Sequence, residues 1–253
     1  ELILQANISL VARVDVFEPV SLSVEPQGQG WRQASLSRDG QRLSGVYYHW
    51  TLADDKKAYA SEGVLYDILK GAMSELALPP EMTPGGPVPG TDGFDWSPIE
   101  DQLVGALTEE SGTGLWLWDA QGVLSGPLVE IPNPDDEILS ARNPAWSPDG
   151  SQVAFELRRW YWWGGNTYKT ELMVISANGE NLHPLVETDW GTHATAPSWS
   201  SDGGTIYYQL STCAPEDDFQ TKMNGSIWSI ALPDSEPVYW TEDGASYLPA
   251  AHP

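Results

Sequence analysis

The sequence predicts an all-β fold built from many short strands joined by tight turns. Glycine (24) and proline (20) together occupy 44 of the 253 positions and are spread along the whole chain. Between them lie runs of strand length that are rich in β-branched and aromatic side chains. Aromatic residues make up 11% of the chain, so side chains for a buried core are available and the acidic composition does not indicate disorder.

A repeat of about fifty residues organises these strands. Each copy begins with an apolar position followed by a turn rich in Ser, Pro, Asp and Gly. Leu36, Trp96, Trp146 and Trp199 occupy that position, at spacings of 60, 50 and 53 residues. We call them the column residues. The third and fourth copies, Ala-Trp-Ser-Pro-Asp-Gly and Ser-Trp-Ser-Ser-Asp-Gly, match each other most closely.

Two further runs of strand length follow each motif, and most copies end in a short polar turn and a weaker run. The first runs cover residues 43–50, 102–107, 152–157 and 205–210, and the second runs cover 63–69, 114–119, 171–176 and 226–231. Four short strands per fifty residues predict a β-propeller of four-stranded antiparallel blades. The column residue is expected on the innermost strand, packed between neighbouring sheets.

Residues 145–150, the apolar strand after them and residues 171–179 resemble the β-propeller repeat of TolB and of the N-terminal propellers of prolyl-oligopeptidase-type enzymes. The resemblance extends from about Gly30 to the end of the chain. The Leu36 copy lacks the tryptophan, and the Trp96 copy has Ile99 and Glu100 in place of Asp-Gly. The family includes scaffolds and hydrolase domains, so the resemblance implies a fold rather than a chemistry. It also implies a setting in the periplasm or at the cell exterior.

Both ends of the chain carry parts of a fifth copy, since residues 248–253 align with 143–148 and residues 2–24 resemble the strands expected next. We therefore expect one propeller domain over residues 1–253, with blades that begin near 34, 94, 144 and 197 and a fifth blade shared between 246–253 and 1–26. Two alternatives stay open: in the first, the chain is a piece of a longer propeller of six to eight blades, and in the second, neighbouring chains exchange strands.

The net charge and the cysteine content limit the kinds of partner and site that the chain is expected to have. Thirty-six acidic residues against 12 basic ones give a net charge of −24, which opposes binding to nucleic acid or to an anionic membrane. No apolar run reaches the length of a membrane span. One cysteine, Cys213, permits no disulfide within the chain and no paired-thiol zinc site. Residues 71–141 hold 13 acidic and no basic residues, so opposite arcs of a ring would differ in charge and favour electrostatic docking of a neighbour.

No catalytic constellation, metal site or cofactor site is predicted, because the motifs of serine hydrolases, zinc proteases and P-loop proteins are missing. Asp95 is the one carboxylate directly before a column residue, and a glycosidase would need two or three. The acidic loop 211–225 lacks the ligand spacing of an EF-hand calcium site. The enzymatic alternatives are a carbohydrate-active or glycan-binding propeller, and the propeller part of a larger serine hydrolase.

One insertion, in residues 158–166, is not explained by the repeat. It contains four consecutive aromatic residues, and they cannot all face inward from a strand because successive side chains alternate between faces. Exposed Trp and Tyr beside Arg are typical of interface hot spots and of sugar-stacking platforms. The sequence therefore predicts a non-enzymatic module that binds a protein partner or a neighbouring subunit through Arg158, Arg159, Trp160, Tyr161, Trp162 and Trp163.

Overall fold

A computed structural model of the chain describes residues 30–53, 56–79, 90–161, 168–212, 224–233 and 235–241. Across these ranges the chain forms strands and turns and contains no helix. The all-β prediction is therefore confirmed.

The strands form four antiparallel units of four, each in chain order. We call these units blades 1 to 4. Blade 1 contains β1 (Gly30–Leu36), β2 (Arg42–Ala53), β3 (Lys56–Asp67) and β4 (Ala72–Glu75). Blade 2 contains β5 (Gly90–Trp96), β6 (Gln102–Thr108), β7 (Gly112–Asp119) and β8 (Leu124–Pro132).

Blade 3 contains β9 (Glu137–Trp146), β10 (Gln152–Tyr161), β11 (Tyr168–Ser176) and β12 (His183–Val186). Blade 4 contains β13 (Thr192–Trp199), β14 (Thr205–Thr212), β15 (Asn224–Ala231) and β16 (Val238–Tyr239). A single parallel pair, Thr170 with His193, joins blades 3 and 4 into one hydrogen-bonded sheet. The number of blades in the whole chain stays a prediction, because residues 1–29 and 242–253 lie outside the described ranges.

The column residues lie at the ends of the first strands, as the repeat predicts. These first strands contact one another in order, β1 with β5, β5 with β9 and β9 with β13. The three column tryptophans are buried, and Trp199 donates its indole N–H to the carbonyl of Ala145 in the preceding blade at 3.0 Å. The first strands therefore form the inner wall of the molecule.

Consecutive blades pack face to face through apolar side chains, and each interface has its own core. Blades 1 and 2 share Val46, Leu65, Phe94, Leu103 and Trp118; blades 2 and 3 share Val104, Leu115, Leu128, Phe155 and Ile175; blades 3 and 4 share Leu172, Val174, Ile206, Tyr208 and Ile230. All of these side chains are buried. The hydrophobic stabilisation is thus divided among repeated interfaces between adjacent blades.

The Ser-Pro-Asp-Gly turn closes the first hairpin of blade 3 in the way its residues predict. Ser147 donates to Asp149 at 2.7 Å, and Gly150 donates its N–H to the Ser147 carbonyl at 2.8 Å. Gly150 has φ = +67°, which favours glycine. The hydrogen bond from Ser147, followed by that from the Ser151 backbone, lowers the pKa of Asp149.

A β-bulge lies just before each column residue of blades 2, 3 and 4. The residue three places before the column tryptophan has positive φ in each case: Gly93 (105°), Asn143 (45°) and Ala196 (53°). The repeat thus includes a backbone feature that the sequence motif did not reveal.

The two ends of the blades differ. Connections between first and second strands, and between third and fourth strands, lie at one end, which we call the turn end. Connections between second and third strands lie at the other, which we call the hairpin end. At the hairpin end, residues 51–53 and 56–62 continue the paired strands of blade 1 and residues 158–161 continue β10, whereas residues 54–55, 162–167 and 213–223 lie outside the described residues.

Candidate functional site

The residues predicted to bind a partner belong to β10 at the hairpin end of blade 3. Strands β6 and β10 both begin six residues after their column tryptophan, but β6 has 7 residues and β10 has 10. Three extra residues carry β10 about 10 Å further than its neighbour in blade 2. Arg159, Trp160 and Tyr161 lie in this extension and Arg158 directly precedes it, whereas Trp162 and Trp163 fall outside the described residues.

The four described site residues divide between the two faces of β10. Leu157 packs in the core shared with blade 2, so Arg159 and Tyr161 share its face by strand alternation. Arg158 and Trp160 lie on the opposite face with Ala154, which packs in the core shared with blade 4. The structure therefore separates residues that are adjacent in sequence into two different environments.

Arg159 is the centre of an ion-pair ladder across three strands. Its Nε donates to Glu171 Oε2 of β11 at 2.7 Å, and its Nη1 lies 3.3 Å from Glu137 Oε2 of β9. Lys169 Nζ lies 2.7 Å from Glu171 Oε1. Partial burial lowers the pKa of the Arg159 guanidinium, but the bonds to Glu171 and then Glu137 raise it overall. The ladder fixes the extended ends of β9, β10 and β11 relative to one another.

An aromatic stack lies beside this ladder. The ring centroids of Tyr161 and Trp190 are 4.4 Å apart and the rings are inclined by 20°. Lys169 Nζ lies 5.9 Å from the Trp190 ring centroid, within the range of a cation–π contact. Both rings are half-buried. The stack therefore presents aromatic surface at the hairpin end while its position is fixed by neighbouring charges.

Trp190 was missed by sequence reasoning. It lies in the connection between β12 and β13, which runs along the edge of β11: Gly191 donates its N–H to the Tyr168 carbonyl at 2.9 Å, and the Thr188 hydroxyl donates to the Thr170 carbonyl at 3.2 Å. The signal that could have identified it is a tryptophan outside the repeat column. Its contact with Tyr161, 29 positions earlier, cannot be deduced from spacing.

The other face of the extension is a packed interface with blade 4. The Arg158 guanidinium lies 4.5 Å from the centroid of Tyr168, and Tyr168 stacks on His193 with centroids 4.1 Å apart. His193 is 2% exposed, and its Nδ1 is 3.4 Å from the hydroxyl of Thr170. Burial, with a smaller contribution from the charge of Arg158, lowers the pKa of His193 to about 4. Arg158 thus contributes to contacts between blades.

Glu156 is a buried carboxylate that sequence reasoning did not identify. It is 2% exposed and accepts hydrogen bonds from Asn143 Nδ2 at 2.6 Å and from the backbone N–H of Ala196 at 2.8 Å. Burial raises its pKa, while these bonds and the charges of Arg142 and Arg158 act in the opposite direction. Because Asn143 and Ala196 are the positive-φ bulge residues of blades 3 and 4, Glu156 joins the two bulges.

Asp95, the carboxylate directly before the column residue of blade 2, is hydrogen-bonded by both neighbouring inner strands. The hydroxyl of Ser35 in β1 donates to Asp95 Oδ1 at 2.9 Å, and the backbone N–H of Trp146 in β9 donates to Oδ2 at 2.8 Å. Burial raises the pKa of Asp95 to about 6. The side chain therefore links blades 1, 2 and 3.

Within the described ranges, no group of three or more His, Cys, Asp and Glu residues is arranged to hold a metal ion. Most of the acidic loop 211–225 lies outside those ranges. The described residues contain no helix that is long and apolar enough to cross a membrane.

No protein-family model and no curated protein matches the chain, but solved structures do. The acylaminoacyl peptidase of Pyrococcus horikoshii is 13% identical, with 85% of this chain and 32% of that chain covered and a TM-score of 0.51. Oligogalacturonate lyase from Vibrio parahaemolyticus is 11% identical, with coverage of 85% and 55% and a TM-score of 0.50. The chain is a β-propeller. At these identities the likeness concerns the fold alone.

TolB from Acinetobacter baumannii also matches, with 12% identity, 83% of this chain and 43% of that chain covered, and a TM-score of 0.49. This propeller spans between about a third and just over half of the length of the three proteins. The β-propeller fold that the TolB-like repeat implies is confirmed by the likeness to the peptidase and the lyase. The repeat motif alone was sufficient to predict it.

Proposed function

We propose that this propeller is a non-enzymatic binding or assembly module that docks a protein partner at the hairpin end of blade 3. The observation that carries the proposal is the Tyr161–Trp190 stack, which is held at the end of a three-stranded extension by the Arg159 ladder. The resemblance to TolB-like repeats supports a setting in the cell envelope or at the cell exterior.

Pre-organisation of the aromatic surface favours binding at this place. Trp, Tyr and Arg are the residues that most often dominate the binding energy of protein interfaces. Docking onto an ordered aromatic surface costs less conformational entropy than ordering a mobile loop. Because Arg159 and Lys169 already pair with Glu171, the aromatic rings supply the attractive apolar surface and the ladder holds their positions.

The charge around the extension indicates the chemistry of the partner. The adjacent end of blade 2 carries Glu109 and the exposed Glu110, and the connection into blade 3 carries the exposed Asp135 and Asp136. With a net charge of −24 over the chain, these carboxylates favour approach of a surface that bears Lys or Arg around an apolar patch. Such binding would weaken as the salt concentration rises.

The second candidate is that this propeller is part of a larger hydrolase. The observation that favours it is the share of the acylaminoacyl peptidase that the chain spans, 32%. The sequence of the full gene distinguishes the two candidates, since a downstream region with a nucleophilic serine in a Gly-x-Ser-x-Gly elbow would support the hydrolase.

Site-specific photo-crosslinking tests the docking surface directly. A photoreactive phenylalanine analogue replaces Tyr161 at the hairpin end or, as the matched control, Leu182, which is 37% exposed at the turn end of the same blade. We expect a discrete crosslinked protein in cells from position 161 only, and we expect Trp190→Ala to abolish it. Equal crosslinking from both positions, or none from position 161, would contradict the proposal.

A further inference from the structure

Two residues of β11, Tyr168 and Thr170, take part in two sets of contacts at once. Their side chains contact His193 of blade 4: the Tyr168 ring stacks on the imidazole with centroids 4.1 Å apart, and the Thr170 hydroxyl lies 3.4 Å from Nδ1. Their backbone carbonyls accept hydrogen bonds from the connection between β12 and β13, donated by the N–H of Gly191 and the hydroxyl of Thr188. The same short piece of strand therefore holds both the histidine and the connection.

Trp190 lies in a tight turn of that connection. The N–H of Thr192 donates to the carbonyl of Asp189 at 3.0 Å, and Gly191 has φ = +84°, as at the third position of a type II turn. His193 follows Thr192 directly in β13. Because the turn is closed by a hydrogen bond at the first residue of β13, a displacement of the start of this strand also displaces the Trp190 ring.

His193 lies where a positive charge is disfavoured. It is 2% exposed, and the Arg158 guanidinium lies 4.5 Å from the centroid of the same Tyr168 ring that stacks on the imidazole. Burial, and to a smaller extent the charge of Arg158, lowers the pKa of His193 to about 4. A protonated imidazole is therefore more stable outside this contact than within it.

The surroundings of His193 offer little compensation for a second positive charge. The charged side chains on the described elements around it are Arg142 of β9, Glu156 and Arg158 of β10, and Asp189 of the preceding connection. On this face β11 presents Tyr168 and Thr170, since Lys169 and Glu171 alternate to the other face, and β14 presents Ser211 opposite His193. Asp189 is exposed to solvent, and Glu156 already accepts hydrogen bonds from Asn143 and Ala196.

We propose that protonation of His193 opens the Tyr161–Trp190 stack, so that the docking surface on blade 3 is present at neutral pH and is lost in acid. The charged imidazole leaves its contact with Tyr168, the start of β13 and the turn before it move with the ring, and Trp190 separates from Tyr161. The inference rests on the proposed function where it calls the stack a docking surface. The opening itself is a property of the free chain.

Fluorine NMR of the full chain labelled with 5-fluorotryptophan measures the opening without a partner. The chain has 13 tryptophans, and the Trp190→Phe variant identifies the resonance of Trp190. We expect this resonance to move toward the position of free fluorotryptophan as the pH falls, with its midpoint where the pKa of His193 lies, at about 4. Titration of the His193 ring itself, followed by carbon-13 labelling of histidine, should agree within about half a pH unit.

Two variants separate His193 from the carboxylates that titrate in the same range. His193→Phe keeps a ring against Tyr168 and leaves every acid in place, so the Trp190 resonance should keep its neutral position down to about pH 4. Arg158→Gln removes a charge that lowers the pKa of His193. In this variant the midpoint of the Trp190 resonance should move to higher pH.

An equal titration of the Trp190 resonance in the wild type and in His193→Phe would overturn the proposal, because nearby carboxylates would then cause the movement. A common midpoint for all the tryptophan resonances would also overturn it, since the whole propeller would then unfold in acid. Photo-crosslinking from position 161 at pH 7 tests the proposed function separately. A missing crosslink at neutral pH contradicts the docking surface, whereas the opening measured by NMR stands or fails by itself.

Discussion

At the scale of single residues, Asp95 shows how a position that resembles a catalytic site acquires a structural role. Its carboxylate accepts hydrogen bonds from the inner strands on both sides. The sequence identified the position because Asp95 is the only carboxylate directly before a column residue. It could not reveal the partners, which lie 60 and 51 positions away at Ser35 and Trp146.

Asp95 makes the stability of the fold pH-dependent in a stated direction. Its pKa in the folded state is about 6, above the usual 3.8, so its contribution is most favourable at low pH and is lost as the pH rises through 6. Asp95→Asn keeps an acceptor for the Trp146 N–H without the charge. We expect the variant to be more stable than the wild type by about 1–2 kcal/mol at pH 8.

Urea denaturation of both proteins at pH 4.5 and pH 8 checks this prediction. The advantage of Asp95→Asn should shrink at pH 4.5, where Asp95 of the folded wild type is protonated. A difference between the two proteins that is the same at both pH values would show that the burial of the charge is not the cause.

Gly150 tests the packing of the turn end at a single position. Its φ of +67° disfavours other residues, and an added methyl group would overlap the side chain of Ile99 from the neighbouring turn. Gly40 has nearly the same φ, +68°, but open space around it. We expect Gly40→Ala to cost about 1 kcal/mol through backbone strain alone, and Gly150→Ala to cost about 2–3 kcal/mol.

The Ile99→Ala and Gly150→Ala double variant separates strain from overlap. If the extra cost comes from Ile99, thermal unfolding should show that Gly150→Ala costs no more than Gly40→Ala once Ile99 is shortened. An undiminished cost in the Ile99→Ala background would contradict the overlap.

At the scale of elements, the extension of β9, β10 and β11 depends on the Arg159 ladder. Glu171 is the most buried acid of the ladder, with a side chain 7% exposed, and it pairs with both Arg159 and Lys169. Glu137 is 20% exposed and pairs with Arg159 at 3.3 Å. We expect Glu171→Gln to destabilise the protein by about 1–3 kcal/mol and Glu137→Gln by less than about 1 kcal/mol.

Equilibrium unfolding of the two glutamine variants measures this difference, and amide exchange locates it. In the Glu171→Gln variant, protection of backbone amides from exchange should decrease in the extended ends of β9, β10 and β11. Equal destabilisation by the two substitutions would indicate that burial does not set the strength of the ladder.

The contact between blades 3 and 4 depends on a neutral histidine. The pKa of His193 is about 4 in the fold, below its usual 6.5, so its contribution is fully present above pH 6.5 and is lost as the pH falls toward 4. His193→Phe retains a ring to stack on Tyr168 without a titrating group. When the pH falls from 7 to 4.5, the free energy of unfolding should decrease by about 1–3 kcal/mol less in the variant than in the wild type.

Calorimetry at the two pH values checks this prediction. The effect is opposite in sign to that of Asp95, so the Asp95→Asn and His193→Phe variants serve as controls for each other. A wild type and His193→Phe variant with parallel pH profiles would contradict the stated protonation of His193.

At the scale of the whole molecule, the repeat made the fold predictable. The column tryptophans and Asp-Gly turns recur at nearly constant spacing, and each is a local signal with a local physical cause. The four-stranded antiparallel units and the inner position of the column follow from them and are confirmed. The split fifth blade stays a prediction.

The site was predictable only in part, for reasons of distance and geometry. Local composition indicated Arg158 to Tyr161, but the alternation of β10 assigns Arg158 to a contact between blades and Arg159 to a ladder. Glu156 bonds to Ala196, 40 positions away, because bulges redirect the backbone. Such contacts depend on tertiary register, which a single sequence does not encode in a short motif.

The central claim is that a partner docks at the hairpin end of blade 3. The most direct test is amide hydrogen exchange of the propeller with and without the partner recovered by crosslinking. We predict slower exchange on binding in residues 156–161 and 168–171, with residues 147–151 and 177–182 at the turn end unchanged. Protection confined to the turn end, with the extension unaffected, would contradict the claim.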